Sequence, residues 1–267
     1  TLPKINQFVF EIFTIYLVLT FICVIFYYIA GMSGFDAFAH AMTTISTGGF
    51  STHNASLANF NSSYIEFVCI LFMFIGSLPF VVYLKITHGD WKSLFKDDQI
   101  KLFIFILLIL FLITTLWLKV NFNENTFYSF RIAIFNITSI FTGTGYTNAN
   151  YSNWGGFGLV IMFIIMFIGG CAGSTTGGIK IFRLLLLFRI STNQIKRLTH
   201  PHGVFITSFN EKSVDEDTSN SIMIFFFMYI LIFIISSILL SLCDLDFITA
   251  MSAAASAISN VGPGLGG

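Results

Sequence analysis

The sequence predicts an all-α polytopic membrane protein built from repeated units, each a span, a half-length pore helix and a second span. Of the 267 residues, 55% are hydrophobic and only 10% are charged, against roughly 25% in an average soluble domain. The mean hydropathy is +0.84, so too few polar residues remain to cover an apolar interior. Long apolar segments alternate with shorter ones that end in glycine turns. Soluble and disordered classes are therefore excluded.

The long apolar segments predict membrane spans, because each is close to or longer than the roughly 20 residues that a helix needs to cross the hydrocarbon layer. They cover residues 8–30, 64–84, 100–118, 155–190 and 219–243. The fourth is interrupted by the glycine-rich stretch 169–178, which predicts a broken helix rather than a uniform one.

The basic residues predict a cytoplasmic N-terminus, because Lys and Arg concentrate in cytoplasmic loops. With that orientation only Lys119 and Arg131 lie outside, while Lys180 and Arg183 lie within the fourth segment. The cytoplasmic side then holds Lys4, Lys85, Lys92, Lys96, Lys101, Arg189, Lys196, Arg197 and Lys212.

Three shorter apolar segments, residues 35–51, 130–147 and 253–266, share one form. Each is a half-length helix rich in Ala, Ser or Thr that runs into a glycine turn. We align the turns and predict three repeats over 1–98, 99–218 and 219–267, the last of them partial. The candidate ion-binding residues are Thr47, Gly48 and Gly49, then Gly143, Thr144 and Gly145, then Asn260, Val261 and Gly262.

These turns indicate a cation pore. Non-helical backbone at membrane depth persists only where it is buried in protein or lines water, and glycine adopts conformations closed to other residues. Successive carbonyl oxygens can then replace the hydration shell of an ion, and the C-terminal end of each half-helix favours a cation. None of the turns contains Asp or Glu. A single glycine turn would indicate close helix packing, but three in equivalent places favour the pore.

The interruption of the fourth segment indicates an intramembrane gate below the pore. Its residues are Gly173, Ser174, Thr175, Thr176, Gly177 and Gly178, followed by Lys180 and Arg183 on one predicted helix face. The alternative is a kink that relieves packing, with both basic side chains extending to the cytoplasmic surface. For the two basic residues both interpretations remain open, because a positive charge on a cation path opposes conduction.

Other classes of function lack support in the sequence. It contains no Ser-His-Asp set, phosphate-binding loop or metal-ligand cluster, so we predict no enzyme, and its formal net charge of zero argues against nucleic-acid binding. We interpret His40 as a packed or hydrogen-bonded side chain rather than a proton sensor. Asp36 and Asp246 are predicted to cap the first and third half-helices.

The motifs resemble the membrane subunit of the Trk/Ktr/HKT superfamily of potassium transporters, most closely the bacterial TrkH type. The resemblance covers essentially the whole chain. It rests on Ser-Thr-Gly-Gly-Phe-Ser at 46–51, Thr-Gly-Thr-Gly-Tyr-Thr at 142–147, Asn-Val-Gly-Pro-Gly-Leu-Gly at 260–266, the glycine-rich stretch 169–180 with Arg183, and Arg-Leu-Thr-His-Pro at 197–201 with Asn210 and Val214.

The resemblance implies a fold, a function and partners. Such proteins place four repeats around one pore, form homodimers, and move potassium, sometimes with sodium, across the inner membrane. A cytoplasmic TrkA-type nucleotide-binding ring protein regulates them, so a nucleotide is expected only on that partner. The implied filter glycines are Gly49, Gly145 and Gly262, and the implied gating loop is 169–178.

The chain also departs from the family pattern. Only three of four pore segments are present, so we interpret it as a fragment that lacks the first repeat and the last span. Asn210-Glu211 replaces the Asn-Gly turn expected in the cytoplasmic hairpin, which puts the hairpin in doubt. A sodium-permeable or sodium-coupled relative and a non-conducting truncated remnant remain alternatives.

Overall fold

The computed structural model describes residues 2–122 and 125–266, and helices dominate these ranges. The helices are α1 (Leu2–Ile29), α2 (Gly34–Ile45), α3 (Ser63–Gly76), α4 (Phe80–Thr87), α5 (Ser93–Lys96), α6 (Asp98–Phe122), α7 (Thr126–Phe141), α8 (Gly155–Met166), α9 (Ile181–Thr199), α10 (Glu216–Ser241) and α11 (Phe247–Ser259). Two 3₁₀ turns cover Ser56–Phe60 and Tyr151–Asn153. Strands β1 (Ser208–Phe209) and β2 (Lys212–Ser213) form a small hairpin.

Three helices of the described chain are long and apolar enough to cross a membrane: Ile5–Ile29 of α1, the whole of α6 and the whole of α10. They turn large apolar side chains outwards, including Phe10, Leu112 and Phe227. A soluble protein would bury such a surface, whereas a lipid-facing helix requires it. The predicted all-α membrane class is confirmed.

The second predicted span, 64–84, is not one helix. It consists of α3 and α4, which meet at an angle of 88° across residues 77–79. Pro79 is the N-cap of α4. It has no amide proton to continue the α3 ladder, and it disfavours a helical conformation in the residue before it. The segment predicted as the second span is therefore a bent pair of helices rather than one uniform helix.

The fourth predicted span is interrupted where the sequence indicated. Helix α8 ends at Met166 and α9 begins at Ile181. A parallel bridge between Ile168 and Ile179 closes the neck of the intervening loop.

The three half-length helices α2, α7 and α11 each pack against the long helix that precedes them in the chain. Their N-terminal caps are Ser33, Asn125 and Asp246, whose side chains accept amide protons of the first turn. Asp246 is thus a cap as predicted. Asp36 is not the cap of α2: it lies in the first turn and accepts a hydrogen bond from the hydroxyl of Ser33.

The β1–β2 hairpin is present although its turn lacks glycine. Asn210 and Glu211 both have left-handed backbone conformations, at φ 47° and 65°, which is the geometry that a tight two-residue hairpin requires. Asn210 is held by tertiary contacts, since its side chain accepts from the amide of Asp98 at 2.8 Å and donates to Asp97 at 3.1 Å. These contacts support a turn that the local sequence disfavours.

Candidate functional site

The three glycine turns share one hydrogen-bonding pattern, which supports their alignment as repeats. The amides of Gly48 and Gly49 both donate to the carbonyl oxygen of Thr43, at 2.7 and 3.3 Å. The equivalent amides of the second turn donate to the carbonyl of Ser139, at 2.9 and 3.2 Å. Those of the third donate to the carbonyl and the hydroxyl of Ser256, at 2.9 and 3.0 Å. Each half-helix therefore ends in the same folded-back turn.

The backbone of each turn is left-handed at two equivalent positions. The first is Thr47 in turn one (φ 51°), with Gly143 and Asn260 in the other two turns (φ 68° and 57°). The second is occupied by the implied filter glycines Gly49, Gly145 and Gly262. A β-branched residue such as Thr47 rarely adopts this conformation, and such strain concentrates at functional positions.

The turns touch one another in chain order. A Cβ atom placed on Gly49 would lie 1.7 Å from the carbonyl oxygen of Thr144. One placed on Gly145 would lie 1.9 Å from the carbonyl oxygen of Val261. Glycine is therefore required at both positions by close backbone contact as well as by conformation. The structure brings the predicted site residues of all three turns together.

The carbonyl groups of the nine predicted filter residues accept no hydrogen bond from any described residue. Several belong to buried residues, including Thr47, Thr144 and Val261. Buried backbone carbonyls are normally paired with a donor. A row of unpaired carbonyl oxygens on adjoining turns is therefore suited to coordinate a cation.

The predicted gating loop lies against the C-terminal ends of the half-helices. The hydroxyl of Thr175 donates to the carbonyl of Ile45, the last residue of α2, at 2.9 Å. A Cβ on Gly177 would lie 2.2 Å from the carbonyl of Ser259, the last residue of α11. One on Gly143 would lie 3.7 Å from the amide nitrogen of Gly177. The loop thus contacts all three pore units.

The unpredicted bend between α3 and α4 is hydrogen-bonded to the gating loop. The amide of Cys171 donates to the carbonyl of Ser77 at 3.0 Å, and the amide of Phe80 donates to the carbonyl of Gly173 at 2.9 Å. Thr175 also donates from its hydroxyl to Gly76 at 3.1 Å. Pro79 within an apolar run is the sequence signal for this bend, which hydropathy alone does not reveal.

Lys180 and Arg183 have different partners, so their expected placement on one helix face is wrong. Lys180 precedes α9, and its ammonium group donates to both oxygens of Thr176 and lies 3.5 Å from the carbonyl of Ser174. Arg183 instead places its guanidinium 4.0 Å from the ring centre of Phe225 on α10. Among the described residues, Lys180 is therefore the one of the two that is hydrogen-bonded to the loop.

Two carboxylates lie at the N-terminal ends of half-helices, on the predicted outer side. Hydrogen bonds from Thr52 and Ser33 lower the pKa of Asp36, and hydrogen bonds from Thr249 lower the pKa of Asp246. Both carboxylates are therefore charged at neutral pH, where they complement the positive ends of the helix dipoles.

A partly buried ion pair joins the first two repeats and was not expected from the sequence. Arg131 on α7 makes two hydrogen bonds to the Glu66 carboxylate on α3, at 2.7 and 2.8 Å. His40 is fully buried and hydrogen-bonded to the carbonyl of Asp36 and the hydroxyl of Ser51, as its interpretation as a packed side chain expected.

The long apolar helices and the half-length helices between them define a helical multi-pass membrane protein. The model of the TrkH family, described as a cation transport protein, matches residues 1–267, and the chain belongs to this family. The resemblance to TrkH is thereby confirmed. This is a family of cation transporters and not of enzymes.

Individual relatives agree with the family match. The chain is 38% identical over 254 residues to the Trk system potassium uptake protein TrkI of Halomonas elongata, covering 95% of this chain and 51% of the relative. It is 35% identical over 268 residues to the Trk system potassium uptake protein TrkH of Vibrio parahaemolyticus, covering 99% and 55%. The chain spans about half the length of the curated relatives it matches.

The fold agrees with a solved structure. The crystal structure of the potassium transporter TrkH from Vibrio parahaemolyticus superposes with a TM-score of 0.94 at 35% identity. The match covers 99% of this chain and 57% of that one.

Proposed function

We propose that the chain forms part of the ion-translocating pore of a Trk-type potassium uptake system. The observation that carries the proposal is the set of unpaired carbonyl oxygens on three adjoining turns. Carbonyl oxygens arranged in this way replace the hydration shell of a monovalent cation. The relatives are named potassium uptake proteins, which makes potassium the expected ion.

The type of oxygen ligand in the turns, carbonyl and hydroxyl rather than carboxylate, favours a monovalent ion. Calcium and magnesium sites draw on carboxylates, and none of the three turns contains Asp or Glu. The filter residues in this proposal are Thr47–Gly49, 143–145 and 260–262. Gly262 has a φ of 108° and no described atom within 4 Å of the place of its Cβ. A fourth turn would fit beside it and complete the ring.

The loop 169–178 is the proposed gate. It lies beneath the half-helices, where an ion leaving the turns would meet Thr175, Thr176 and the backbone of Gly177. Its hydrogen bonds to Ile45, Gly76 and Ser77 hold it there. Movement of the segment would open the path, and Lys180 would stabilise the closed position through Thr176 and Ser174.

The wider assembly follows the family pattern in this proposal. The chain lies in the inner membrane with its N-terminus cytoplasmic, in three repeats over 1–98, 99–218 and 219–267. It works as a homodimer with a cytoplasmic TrkA-type subunit that binds the nucleotide. The surface formed by β1, β2 and the end of α9 lies on the predicted cytoplasmic side, where such a subunit would bind.

Uptake of radioactive rubidium tests the proposal. The complete reading frame that contains this chain is expressed in bacteria without their own potassium uptake, together with a regulatory subunit. Inhibition by potassium but not by sodium is expected, and Gly49→Ser or Gly145→Ser should reduce that preference. Unchanged preference in both variants would refute the filter assignment. Equal inhibition by both ions would favour a sodium-permeable transporter, and absence of uptake with the protein in the membrane would favour a non-conducting remnant.

A further inference from the structure

The residues behind the first two turns form a chain of hydroxyl groups that ends on the turns themselves. The hydroxyl of Thr43 lies 2.8 Å from the carbonyl oxygen of Phe50, the residue that follows Gly49. At the equivalent place in the second repeat, the hydroxyl of Ser139 donates at 2.6 Å to the carbonyl of Tyr146, the residue that follows Gly145. Each half-helix thus uses one hydroxyl to fix the carbonyl at the end of its own turn.

Tyr146 connects these two contacts. Its backbone belongs to the second turn, and its phenol hydroxyl lies 2.6 Å from the hydroxyl of Thr43 on the first half-helix. The side chain is fully buried in the apolar cluster of the first repeat. Thr43 has one hydroxyl proton, and the Phe50 carbonyl is its nearest carbonyl acceptor, ahead of the carbonyls of Ala39 and His40 at 3.2 Å each. With that proton on Phe50, the Thr43 oxygen accepts the proton of Tyr146.

The hydroxyl groups of Thr44 and Tyr27 extend this chain of hydrogen bonds, and all of its donors can point the same way. Thr44 lies 3.3 Å from the Tyr146 hydroxyl, and Tyr27 on α1 lies 2.8 Å from Thr44. Both are fully buried. Each hydroxyl can therefore donate once: Tyr27 to Thr44, Thr44 to Tyr146, Tyr146 to Thr43, and Thr43 to the carbonyl of Phe50. For Tyr146 the Thr43 oxygen, at 2.6 Å, is a nearer acceptor than the carbonyl of His40, at 3.2 Å. Buried hydroxyls that are paired in series strengthen one another and rigidify the groups they join.

We propose that Thr43, Ser139 and Tyr146 form a brace that positions the first two filter turns against each other and so determines the preference for potassium over sodium. The inference rests on the proposed function of the turns. Selection by carbonyl oxygens depends on where those oxygens are held. The brace fixes the carbonyl of the residue that follows the filter glycine in each of these two turns. Gly49 instead sets the contact between the first and second turns, and Gly145 sets the contact between the second and third. These three are positioning residues, because they act through the carbonyl groups of Phe50 and Tyr146.

The test measures the concentrations of potassium and of sodium that halve rubidium uptake, normalised to the protein in the membrane, in the complete reading frame. Thr43→Val and Tyr146→Phe remove one hydroxyl each and nearly preserve shape. Each should reduce the sodium-to-potassium ratio of those concentrations by about 3- to 10-fold, the effect of losing one hydrogen bond. Thr43→Ser keeps the hydroxyl and should retain the ratio.

Coupling between the residues provides a sharper criterion. Tyr146→Phe acts through Thr43, so the double variant with Thr43→Val should be no worse than Thr43→Val alone. Ser139→Ala interrupts the second contact and should add its own reduction. Tyr151→Phe is the matched control, because Tyr151 is also buried and its hydroxyl makes no hydrogen bond within the described residues; it should retain the ratio.

The outcomes separate the brace from the filter. An unchanged ratio in Thr43→Val and Tyr146→Phe, with a reduced ratio in Gly49→Ser, would overturn the brace and leave the proposed filter intact. An unchanged ratio in Gly49→Ser as well would overturn both. An equal reduction in Tyr151→Phe would also overturn the brace, because any buried hydroxyl would then suffice. If Thr43→Val does not reach the membrane, Ser139→Ala tests the same contact in the second turn.

Discussion

Substitution of Gly49 by alanine tests the contact between the first and second turns most directly. The new Cβ atom would lie 1.7 Å from the carbonyl oxygen of Thr144, whereas real Cβ contacts essentially never fall below 3.0 Å. The carbonyl must therefore shift by about 1.3 Å, since closely packed backbone cannot absorb the overlap. The left-handed φ of 66° adds roughly 1–2 kcal/mol of strain for a residue with a Cβ. Strain of that size alone corresponds to about a 5- to 30-fold change in an equilibrium.

The measured quantity is the ratio of sodium to potassium concentrations that halve rubidium uptake. We expect Gly49→Ala to reduce it at least tenfold, because the displaced carbonyl of Thr144 is one of the proposed ligands. Gly48→Ala should have a smaller effect, since the tightest contact of its Cβ would be the Ser46 hydroxyl at 3.2 Å and the Phe50 ring would lie at an ordinary 3.5 Å. Gly156→Ala, with no described atom within 4 Å, should have none. A parental ratio in Gly49→Ala, at normal protein levels in the membrane, would refute the reasoning.

Three further changes test the gate and the packing. Thr175→Val removes the hydroxyl whose one proton is shared between carbonyls of α2 and α3, so uptake without the regulatory subunit should rise about 5- to 10-fold, for the loss of roughly 1–1.4 kcal/mol; uptake that still requires the subunit would contradict this. Lys180→Met should likewise raise unregulated uptake several-fold, whereas Lys196→Met, at an exposed position of α9, should not; equal effects would show that charge alone matters. Glu66→Gln leaves Arg131 without its carboxylate and should destabilise the protein by roughly 1.5–3 kcal/mol, because Arg131 is only partly buried; this is seen as a lower unfolding temperature in detergent, and an unchanged temperature would show that the pair is dispensable.

The repeated turns could be predicted because their signal is local. Glycine is needed at 49 and 145 by conformation and by contact, and each follows a short apolar helix that is too short to span the membrane. Two of the three left-handed positions at the start of the turns carry other residues, Thr47 and Asn260. The left-handed conformation of Thr47 could be predicted only by aligning the three turns, which places it opposite Gly143. A threonine by itself gives no local indication of a left-handed backbone.

Apart from the bend at Pro79, the features that the sequence did not predict depend on residues far apart in the chain. Tyr146 reaches Thr43 across 103 positions, and no periodicity encodes that contact. The doubt about the hairpin had the same origin. A turn with Glu211 in place of glycine is locally unfavourable, and contacts from Asn210 to the start of α6 offset that preference.

The bend between α3 and α4 and the interruption between α8 and α9 are explained by each other. A broken helix in a membrane leaves amide and carbonyl groups without partners, at several kcal/mol for each group that stays unsatisfied. Here Ser77 accepts from Cys171, and Gly173 accepts from Phe80, so each break supplies the partners that the other lacks. A loop held in this way cannot move alone, because opening it would expose backbone groups of the bend as well. In the proposed gate, the bend is therefore part of the moving unit, or water entering the opened path must replace its hydrogen bonds. In both cases backbone groups of the loop lose their protein partners and must bind water, so water enters as the path opens. An ion needs that water in order to leave the carbonyl groups of the turns and be hydrated again.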